Sequence, residues 1–299
     1  MLNFESIRKR AAEKGPVPLA VPWAMDKTAV LAAYKAERLG IALPILIGEG
    51  AKIKELMAEH ATDMEAEVVE ASSPEEAAAK AVSLAREGKA KVLLKGALRT
   101  DQFLRPALDR ERGLRTDRLL SDVFFTEDPL HNRKKLIGMS DGGVNIAPDL
   151  AAKVQIVSNA IEAFHRLGVS RPKVALLAAV EVVNEKMPAT VDAAEIRRMW
   201  ERGEFPESTI EGPMALDIAV SRAAAEKKKY QSEIAGDVDI FIVPNIEAGN
   251  IFGKSFTYYM NLPVGHIIMG ARVPLLIPSR TESDEDKLNS IALGCLVGG

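Results

Sequence analysis

Residues 17–47, VPLAVPWAMDKTAVLAAYKAERLGIALPILI, predict a strand–helix–strand unit. Val17–Val21 and Pro44–Ile47 are short apolar runs that predict strands, and the amphipathic segment Lys27–Leu39 predicts a helix between them. Asp26 is a suitable N-cap for this helix, and Gly40 is a suitable residue to end it. Because both apolar runs are continuous rather than alternating, they indicate strands that are covered on both faces, as in a parallel sheet.

The same alternation of strand and helix signals continues along the chain. Ser73-Pro74-Glu75-Glu76 predicts a helix start, with Ser73 as N-cap and Glu76 completing a capping box. Further helices are predicted over residues 52–60, 148–167, 191–202 (with Thr190 as N-cap), 214–228, from about 250, and 284–296. Further strands are predicted at residues 68–70, 91–94, 123–125, 136–139, 174–179, 239–243, 266–269 and 274–277, with antiparallel pairing of the two joined by the polar loop 127–134. This order predicts the α/β class and a mostly parallel sheet.

Length and composition narrow the class of protein. A chain of 299 residues favours two domains, because a single core stops growing efficiently near this size. A net charge of −3 gives no electrostatic support for a nucleic-acid partner. Cys295 is the only cysteine, which excludes an intrachain disulfide and fits a reducing compartment. With no signal-peptide pattern and no apolar run near ~20 residues, we expect a cytoplasmic protein without membrane contact.

Several familiar site motifs are missing from the sequence. Gly48-Glu49-Gly50 follows a strand, but Ile53 stands where a dinucleotide fingerprint needs a third glycine. There is no phosphate-binding P-loop sequence and no Gly-x-Ser-x-Gly elbow. The four histidines, His60, His131, His165 and His266, have no partners at metal-motif or catalytic-triad spacing. We therefore predict neither a metal site nor a serine hydrolase.

A cationic segment, KGALRTDQFLRP at residues 95–106, begins where a buried strand ends. Ligands of open α/β sheets bind outside the carboxyl ends of strands. Lys95, Arg99 and Arg105 supply positive charge, and Gly96 allows a close backbone approach. Arginine can hold phosphate through two parallel hydrogen bonds. The segment is either an anion site or surface charge at a helix start.

Polar residues also follow strands in the second half of the chain. Glu181 and Asn184 either line a site or hold their loop together, and Asp217 either lines a site or complements the dipole of its helix. Asn250 and Lys254 are one helical turn apart, and backbone capping is an alternative role for the asparagine. The run Lys227-Lys228-Lys229 is interpreted as a solvated helix end.

The segment PSRTESDED at residues 278–286 is the most informative. Ser279 and Arg280 stand where a buried strand ends, and a hydroxyl beside a guanidinium can hold an oxyanion or a phosphate. Ser283 and Asp286 fit a capping box, which alone would explain the aspartate. A carboxylate near a positive pocket could instead act as a general base.

Taken in order, these motifs resemble the phosphate acetyl/butyryl transferase family, from about Ala42 to the C-terminus. The resemblance is carried by the following stretches: residues 43–48, 95–96 with Thr100, 105–108, 145–150, 180–181 with Asn184, 187–190, 212–213 with Ala215 and Asp217, 246–250 with Lys254, and 279–280. Each stretch is weak evidence alone, but their joint order is specific. The stretches at 145–150 and 247–250 are more similar to the butyryl than to the acetyl members.

The resemblance implies a fold similar to isocitrate and isopropylmalate dehydrogenases, with two α/β domains flanking a cleft. The first domain would comprise residues 1–120 plus 275–299, and the second, residues 121–274, would form a homodimer. The implied reaction is acyl-CoA plus phosphate giving acyl phosphate plus coenzyme A, with butyryl favoured and acetyl as the alternative. Coenzyme A would be a substrate, and no permanently bound cofactor is expected.

The resemblance also implies roles for individual residues. Arg280 would hold phosphate, Ser279 would stabilise the developing oxyanion, and Asp286 would take the thiol proton of coenzyme A. Substrate binding would involve Lys95, Arg99, Thr100, Arg105, Glu181, Asn184, Asp217, Asn250 and Lys254. Two alternatives remain: a metal- and NAD-dependent dehydrogenase of the same fold, and a non-catalytic protein that binds coenzyme A.

Overall fold

A computed structural model describes residues 2–130 and 135–298; His131 lies outside these ranges, as does the end of the predicted loop at 127–134. The chain divides into two compact units. The central unit is Leu119–Leu262, and the terminal unit combines Leu2–Arg118 with Pro263–Gly299. Each unit contains strands and helices, which confirms the predicted α/β class. No helix among the residues described is long and apolar enough to cross a bilayer.

In chain order the strands are β1 (Val17–Pro22), β2 (Ala42–Gly48), β3 (Glu67–Glu70), β4 (Val92–Leu94), β5 (Ser121–Glu127), β6 (Leu136–Ser140), β7 (Lys173–Leu177), β8 (Thr209–Met214), β9 (Ile240–Ile242), β10 (Val264–Met269) and β11 (Leu275–Leu276). The helices are α1 (Phe4–Lys14), α2 (Lys27–Arg38), α3 (Gly50–His60), α4 (Pro74–Arg86), α5 (Thr100–Ala107), α6 (Leu150–Arg166), α7 (Pro188–Glu201), α8 (Leu216–Val220), α9 (Arg222–Lys227), α10 (Ile246–Tyr258) and α11 (Asp284–Gly298).

In the terminal unit the strand order is β3-β2-β1-β4-β11-β10. The first five strands are parallel, and β10 is antiparallel to β11. The predicted β1–α2–β2 unit is present, with Asp26 accepting the Ala29 N–H at the start of α2. Because neighbouring parallel strands end at one edge, the carboxyl ends of β1, β4 and β11 lie side by side.

The chain returns to the terminal unit earlier than the sequence predicts, at Pro263 rather than at residue 275. The cause is β10, which pairs with β11 and is also bonded to α11. The His266 N–H donates to Ser290 Oγ (2.9 Å), and Asn289 Nδ2 donates to the Val264 carbonyl (3.1 Å). These contacts hold β10 among residues of the terminal unit.

In the central unit the strand order is β5-β6-β9-β7-β8. β5 and β6 are antiparallel, as predicted, and β6, β9, β7 and β8 are parallel. Phe125 stacks on Phe164 of α6 with ring centroids 5.4 Å apart. A Cβ at Gly138 would lie 2.6 Å from the Phe164 ring, so glycine there allows α6 to pack closely on β6.

Several predicted helices differ from the structure in their caps or starts. Ser73 caps α4 as predicted, but the Glu76 carboxylate accepts from Ser72 instead of completing a capping box with Ser73. α7 begins at Pro188, and Thr190 lies inside its first turn. The helix predicted at 214–228 is divided into α8 and α9, because Ser221 caps a new helix by accepting the Ala224 N–H (3.2 Å). α10 begins at Ile246, since Asn245 is its N-cap and not Asn250.

Candidate active site

Three strand ends of the terminal unit bring the predicted anion-binding residues to one edge of the sheet. Lys95 directly follows β4, and its N–H donates to the Leu276 carbonyl of β11 (2.9 Å). Ser279 and Arg280 follow β11 two residues later. A Cβ at Gly96 would lie 2.4 Å from the Trp23 carbonyl oxygen. The glycine is therefore required by close approach to the chain after β1.

Lys95 is a buried cation with weak hydrogen bonding. Lys95 is only 6% exposed, and its Nζ lies 3.3 Å from the Leu98 carbonyl and 3.5 Å from the Gly96 carbonyl. Burial and the positive charge of Arg280 lower the pKa of Lys95, against the opposing effect of Asp26 and Glu282. The positive charges of Lys95 and Arg280 therefore repel each other, and an anion bound near both would relieve this repulsion.

The side chains of Ser279 and Arg280 are exposed to solvent, whereas the backbone of Ser279 is held by a hydrogen bond. Both residues are exposed, and Ser279 Oγ lies 3.1 Å from Thr281 Oγ1. The Ser279 N–H donates to Glu282 Oε1 (3.0 Å). Within residues 2–130 and 135–298, Arg280 makes no hydrogen bond or ion pair. Its five N–H donors are available to a bidentate ligand such as phosphate.

Asp286 forms the predicted capping box at the start of α11. Its Oδ2 accepts from the Ser283 hydroxyl (2.6 Å) and N–H (3.2 Å), while its own N–H donates to Ser283 Oγ (3.1 Å). Its Oδ1 accepts the Val264 N–H (3.0 Å). Both carboxylate oxygens are therefore engaged, so a base role requires Asp286 to exchange its bond with Ser283 for one with a substrate proton.

The remaining residues of the cationic segment differ in their availability. Arg99 is the residue before α5, and it forms two bonds of 2.9 and 2.8 Å with the Asp101 carboxylate, which neutralises its charge. Thr100 is exposed at the first position of α5. Arg105 is exposed in the last turn of α5 and makes no hydrogen bond or ion pair to the rest of the described chain. Lys95, Arg105 and Arg280 are the cations that an anion could engage.

In the central unit, Glu181 and Asp217 are joined by a lysine that the sequence interpretation assigned to a solvated helix end. Lys228 Nζ lies 2.8 Å from Glu181 Oε1 and 3.0 Å from Asp217 Oδ1. The bonds with Glu181 and Asp217 raise the pKa of Lys228, and Lys228 lowers the pKa of Asp217. Lys228 is exposed at the C-terminal end of α9, as the sequence interpretation predicts, and folding in addition brings two distant carboxylates to its ammonium group.

The other predicted residues of the central unit lie on two different elements. Asn184 holds its loop: its Oδ1 accepts the Lys186 N–H (3.0 Å), and its carbonyl accepts from the Thr190 hydroxyl (3.1 Å). Asn250 and Lys254 are exposed on α10, where Lys254 Nζ lies 5.8 Å from the Tyr258 ring centroid. No hydrogen bond or ion pair among the described residues joins these residues to the Glu181–Lys228–Asp217 cluster.

The central unit also contains a cavity of about 840 Å³ at the carboxyl ends of β7 and β9. Its walls are mostly apolar, and Lys153 and Asp192 form an ion pair of 2.6 Å at its border. Part of the lining comes from three of the resembling stretches and from α10: Ala147, Pro148, Met187, Pro188, Ala189, Ala248, Ile251 and Phe252. Cavities of this size and character hold small organic ligands. The sequence does not predict it, because its walls come from separate segments.

Residue groups suited to a metal ion are not found. No cluster of three or more His, Cys, Asp or Glu side chains with suitable geometry occurs within the described ranges. The sequence also misses Glu282, which accepts the Ser279 N–H, and the two basic residues that contact Glu282, His266 and Lys287. Glu282 stands three residues after Ser279, and this short spacing is the one signal that the sequence offers.

Comparison with known proteins places these features in a family. The family described as "Phosphate acetyl/butaryl transferase" matches residues 64–295. The phosphate butyryltransferase of Clostridium acetobutylicum is 39% identical over 99% of this chain and 98% of its own. The phosphate acetyltransferase of Rhizobium meliloti is 38% identical over 98% of this chain and 93% of its own.

A solved structure agrees with these relatives. The crystal structure of a branched-chain phosphotransacylase from Enterococcus faecalis is 32% identical, covers 94% of this chain and 99% of its own, and superposes with a TM-score of 0.80. The family match, the identities over nearly the full length and the shared fold all agree. The chain belongs to the phosphate acetyl/butyryl transferase family.

Proposed function

We propose that this phosphate acyltransferase moves a short acyl group reversibly between coenzyme A and inorganic phosphate. The observation that carries the proposal is Arg280, the residue after Ser279, whose exposed guanidinium has no hydrogen-bond or ion-pair partner among the described residues. Lys95 adds a second, buried positive charge nearby. A phosphate or acyl phosphate would satisfy both cations, and the two named relatives act on such groups by their names.

In the direction of acyl-CoA synthesis, the proposed step is a direct displacement without an acyl-enzyme. Asp286 takes the proton of the coenzyme A thiol, and the thiolate attacks the acyl carbonyl of acyl phosphate. Ser279 donates to the oxyanion that forms on the carbonyl oxygen. When the carbonyl re-forms, the C–O bond to phosphate breaks, and phosphate leaves with the electron pair, held by Arg280. Lys95 and Arg105 add positive charge for the substrate anions.

The acyl group is proposed to be butyryl, with acetyl as the alternative. Relatives named for each are almost equally similar to this chain, so identity does not separate them. The apolar cavity of the central unit is our candidate for the apolar part of acyl-CoA. Arg99, Thr100, Glu181, Asn184, Asp217, Asn250 and Lys254 stay proposed as substrate-binding residues. The dehydrogenase alternative gains no support from the relatives reported above.

Other features of the family interpretation also remain predictions. A homodimer through the central unit is supported by exposed apolar side chains such as Val182 (69% exposed), Val183 (54%) and Tyr259 (93%). Similarity to isocitrate and isopropylmalate dehydrogenases, with a cleft flanked by two domains, rests on the family resemblance alone. We also propose a cytoplasmic location, coenzyme A as a substrate rather than a bound cofactor, and no nucleic-acid partner.

The first test measures thiol release from acetyl-, propionyl-, butyryl- and isobutyryl-CoA with and without phosphate. We expect phosphate-dependent release that is fastest with four-carbon chains. Arg280→Ala should lower kcat/KM at least about a hundredfold, because a donor to the reacting phosphate is lost. Arg86→Ala, an exposed arginine at the end of α4, is the matched control and should keep wild-type rates. No phosphate-dependent release with any acyl-CoA would contradict the proposed function.

A further inference from the structure

Glu282 is a buried residue whose carboxylate and N–H both bind the backbone of Ser279. The residue is 8% exposed, and its Oε1 accepts the Ser279 N–H (3.0 Å). Its own N–H donates to the Ser279 carbonyl (3.2 Å). Both backbone polar groups of Ser279 are therefore tied to one residue, which leaves the Ser279 and Arg280 side chains pointing out from a fixed backbone.

The charge of Glu282 is balanced by two basic residues from different elements. His266 of β10 places Nε2 3.3 Å from Glu282 Oε1. Lys287 of α11 is 3% exposed, and its Nζ donates to the Glu282 carbonyl (2.8 Å). Burial alone would raise the pKa of Glu282, but His266, the Ser279 N–H and Lys287 together hold it below its usual value.

The two oxygens of the Glu282 carboxylate have different surroundings. Glu282 Oε2 is buried and has no hydrogen-bond partner among the described residues. Leaving a buried carboxylate oxygen unpaired is costly, so the position of this carboxylate needs an explanation. A glutamine could still accept the Ser279 N–H, but it would lose the attraction to His266 and Lys287 that fixes the side chain in place.

We propose that Glu282, charge-balanced by His266 and Lys287, is a positioning residue that holds Ser279 and Arg280 in their reactive geometry. The inference rests on the proposed function for the roles of Ser279 and Arg280. Preorganised donors act in catalysis because they need no rearrangement when charge develops. A catalytic group misplaced by about 1 Å can cost about a hundredfold in rate. Glu282 acts through Ser279 and touches no substrate itself.

The test is a double-mutant cycle on kcat with Glu282→Gln and Ser279→Ala. We expect Glu282→Gln to lower kcat about ten- to a hundredfold, and the double variant to be within about twofold of Ser279→Ala alone. Glu285→Gln is the matched control: the same change three residues later, at a carboxylate paired with Arg8 and Lys35, should leave kcat unchanged. Wild-type kcat in Glu282→Gln, or losses that multiply in the double variant, would overturn the proposal.

A second measurement does not depend on turnover, and it separates failure of this inference from failure of the proposed function. Site-resolved hydrogen exchange within residues 277–283 measures the protection of the Ser279 N–H. In Glu282→Ala its exchange should accelerate at least about tenfold, because its acceptor is removed, while Glu285→Gln should match wild type. Unchanged exchange would show that Glu282 does not hold the segment. If the wild type shows no turnover while Glu282→Ala still accelerates the exchange, only the proposed function is refuted.

Discussion

Replacing Lys95 with methionine should make the protein more stable and less active. The substitution removes the ammonium group and keeps a similar length and an unbranched chain. Lys95 is 6% exposed, and its Nζ contacts of 3.3 and 3.5 Å are longer than ordinary hydrogen bonds. Its net environment disfavours the charge, since burial and Arg280 lower its pKa. We expect the free energy of unfolding at neutral pH to rise by about 1 kcal/mol, the low end for replacing buried charges.

The pH dependence of this gain follows from the direction of the pKa shift. The folded-state pKa of Lys95 lies below the unfolded value of 10.5, so the folded protein releases this proton first as pH rises. The cost of burying the charge is complete below the folded-state pKa and disappears as pH approaches the unfolded value. The advantage of Lys95→Met should therefore be largest near neutral pH and shrink toward about pH 10.

Urea unfolding at neutral pH and at about pH 10 measures this gain in stability, with Lys287→Met as the matched control. Lys287 is equally buried but donates a 2.8 Å bond to the Glu282 carbonyl, so its loss should destabilise the protein by about 1–3 kcal/mol. Lys95→Met should also raise the KM for phosphate about tenfold, because one cation facing the anion is lost. A loss of more than about 1 kcal/mol in Lys95→Met would refute the reasoning, since it would show that the ammonium group stabilises the fold.

Two further variants test other parts of the site. Asp286→Asn keeps a carbonyl oxygen for the Val264 N–H, but it replaces the oxygen that accepts from Ser283 and cannot take a proton. We expect kcat to fall about a hundredfold and the free energy of unfolding to fall by about 1–2 kcal/mol; preserved thiol release would leave Asp286 only its capping role. Ala189→Phe narrows the central cavity and should raise the KM for butyryl-CoA about tenfold with an unchanged KM for phosphate. Ala151→Phe, on the exposed side of α6, is its control, and a changed sedimentation mass without a KM effect would identify the cavity as part of a subunit interface.

The α/β class and the placement of the candidate residues at strand ends could be predicted from local signals. The β1–α2–β2 unit, the Asp26 cap and the Ser283–Asp286 capping box depend on residues within a few positions of one another. Helix starts are less well determined: Thr190 and Asn250 are both good capping residue types, yet Met187 and Asn245 precede the helices. The reason is that a Pro at 188 and an Asn at 245 offer starts one turn earlier.

By itself, the sequence determined the α/β class and the cations and hydroxyl placed where β4 and β11 end, because strand periodicity and strand-end chemistry are local properties. Only the tertiary structure decided which of those groups have partners. Arg99 is neutralised by Asp101 and Arg280 is not, Lys228 pairs with Glu181 and Asp217, and His266 and Lys287 enclose Glu282. Burial and pairing depend on segments far apart in the chain, and the energy of a charged group depends on both.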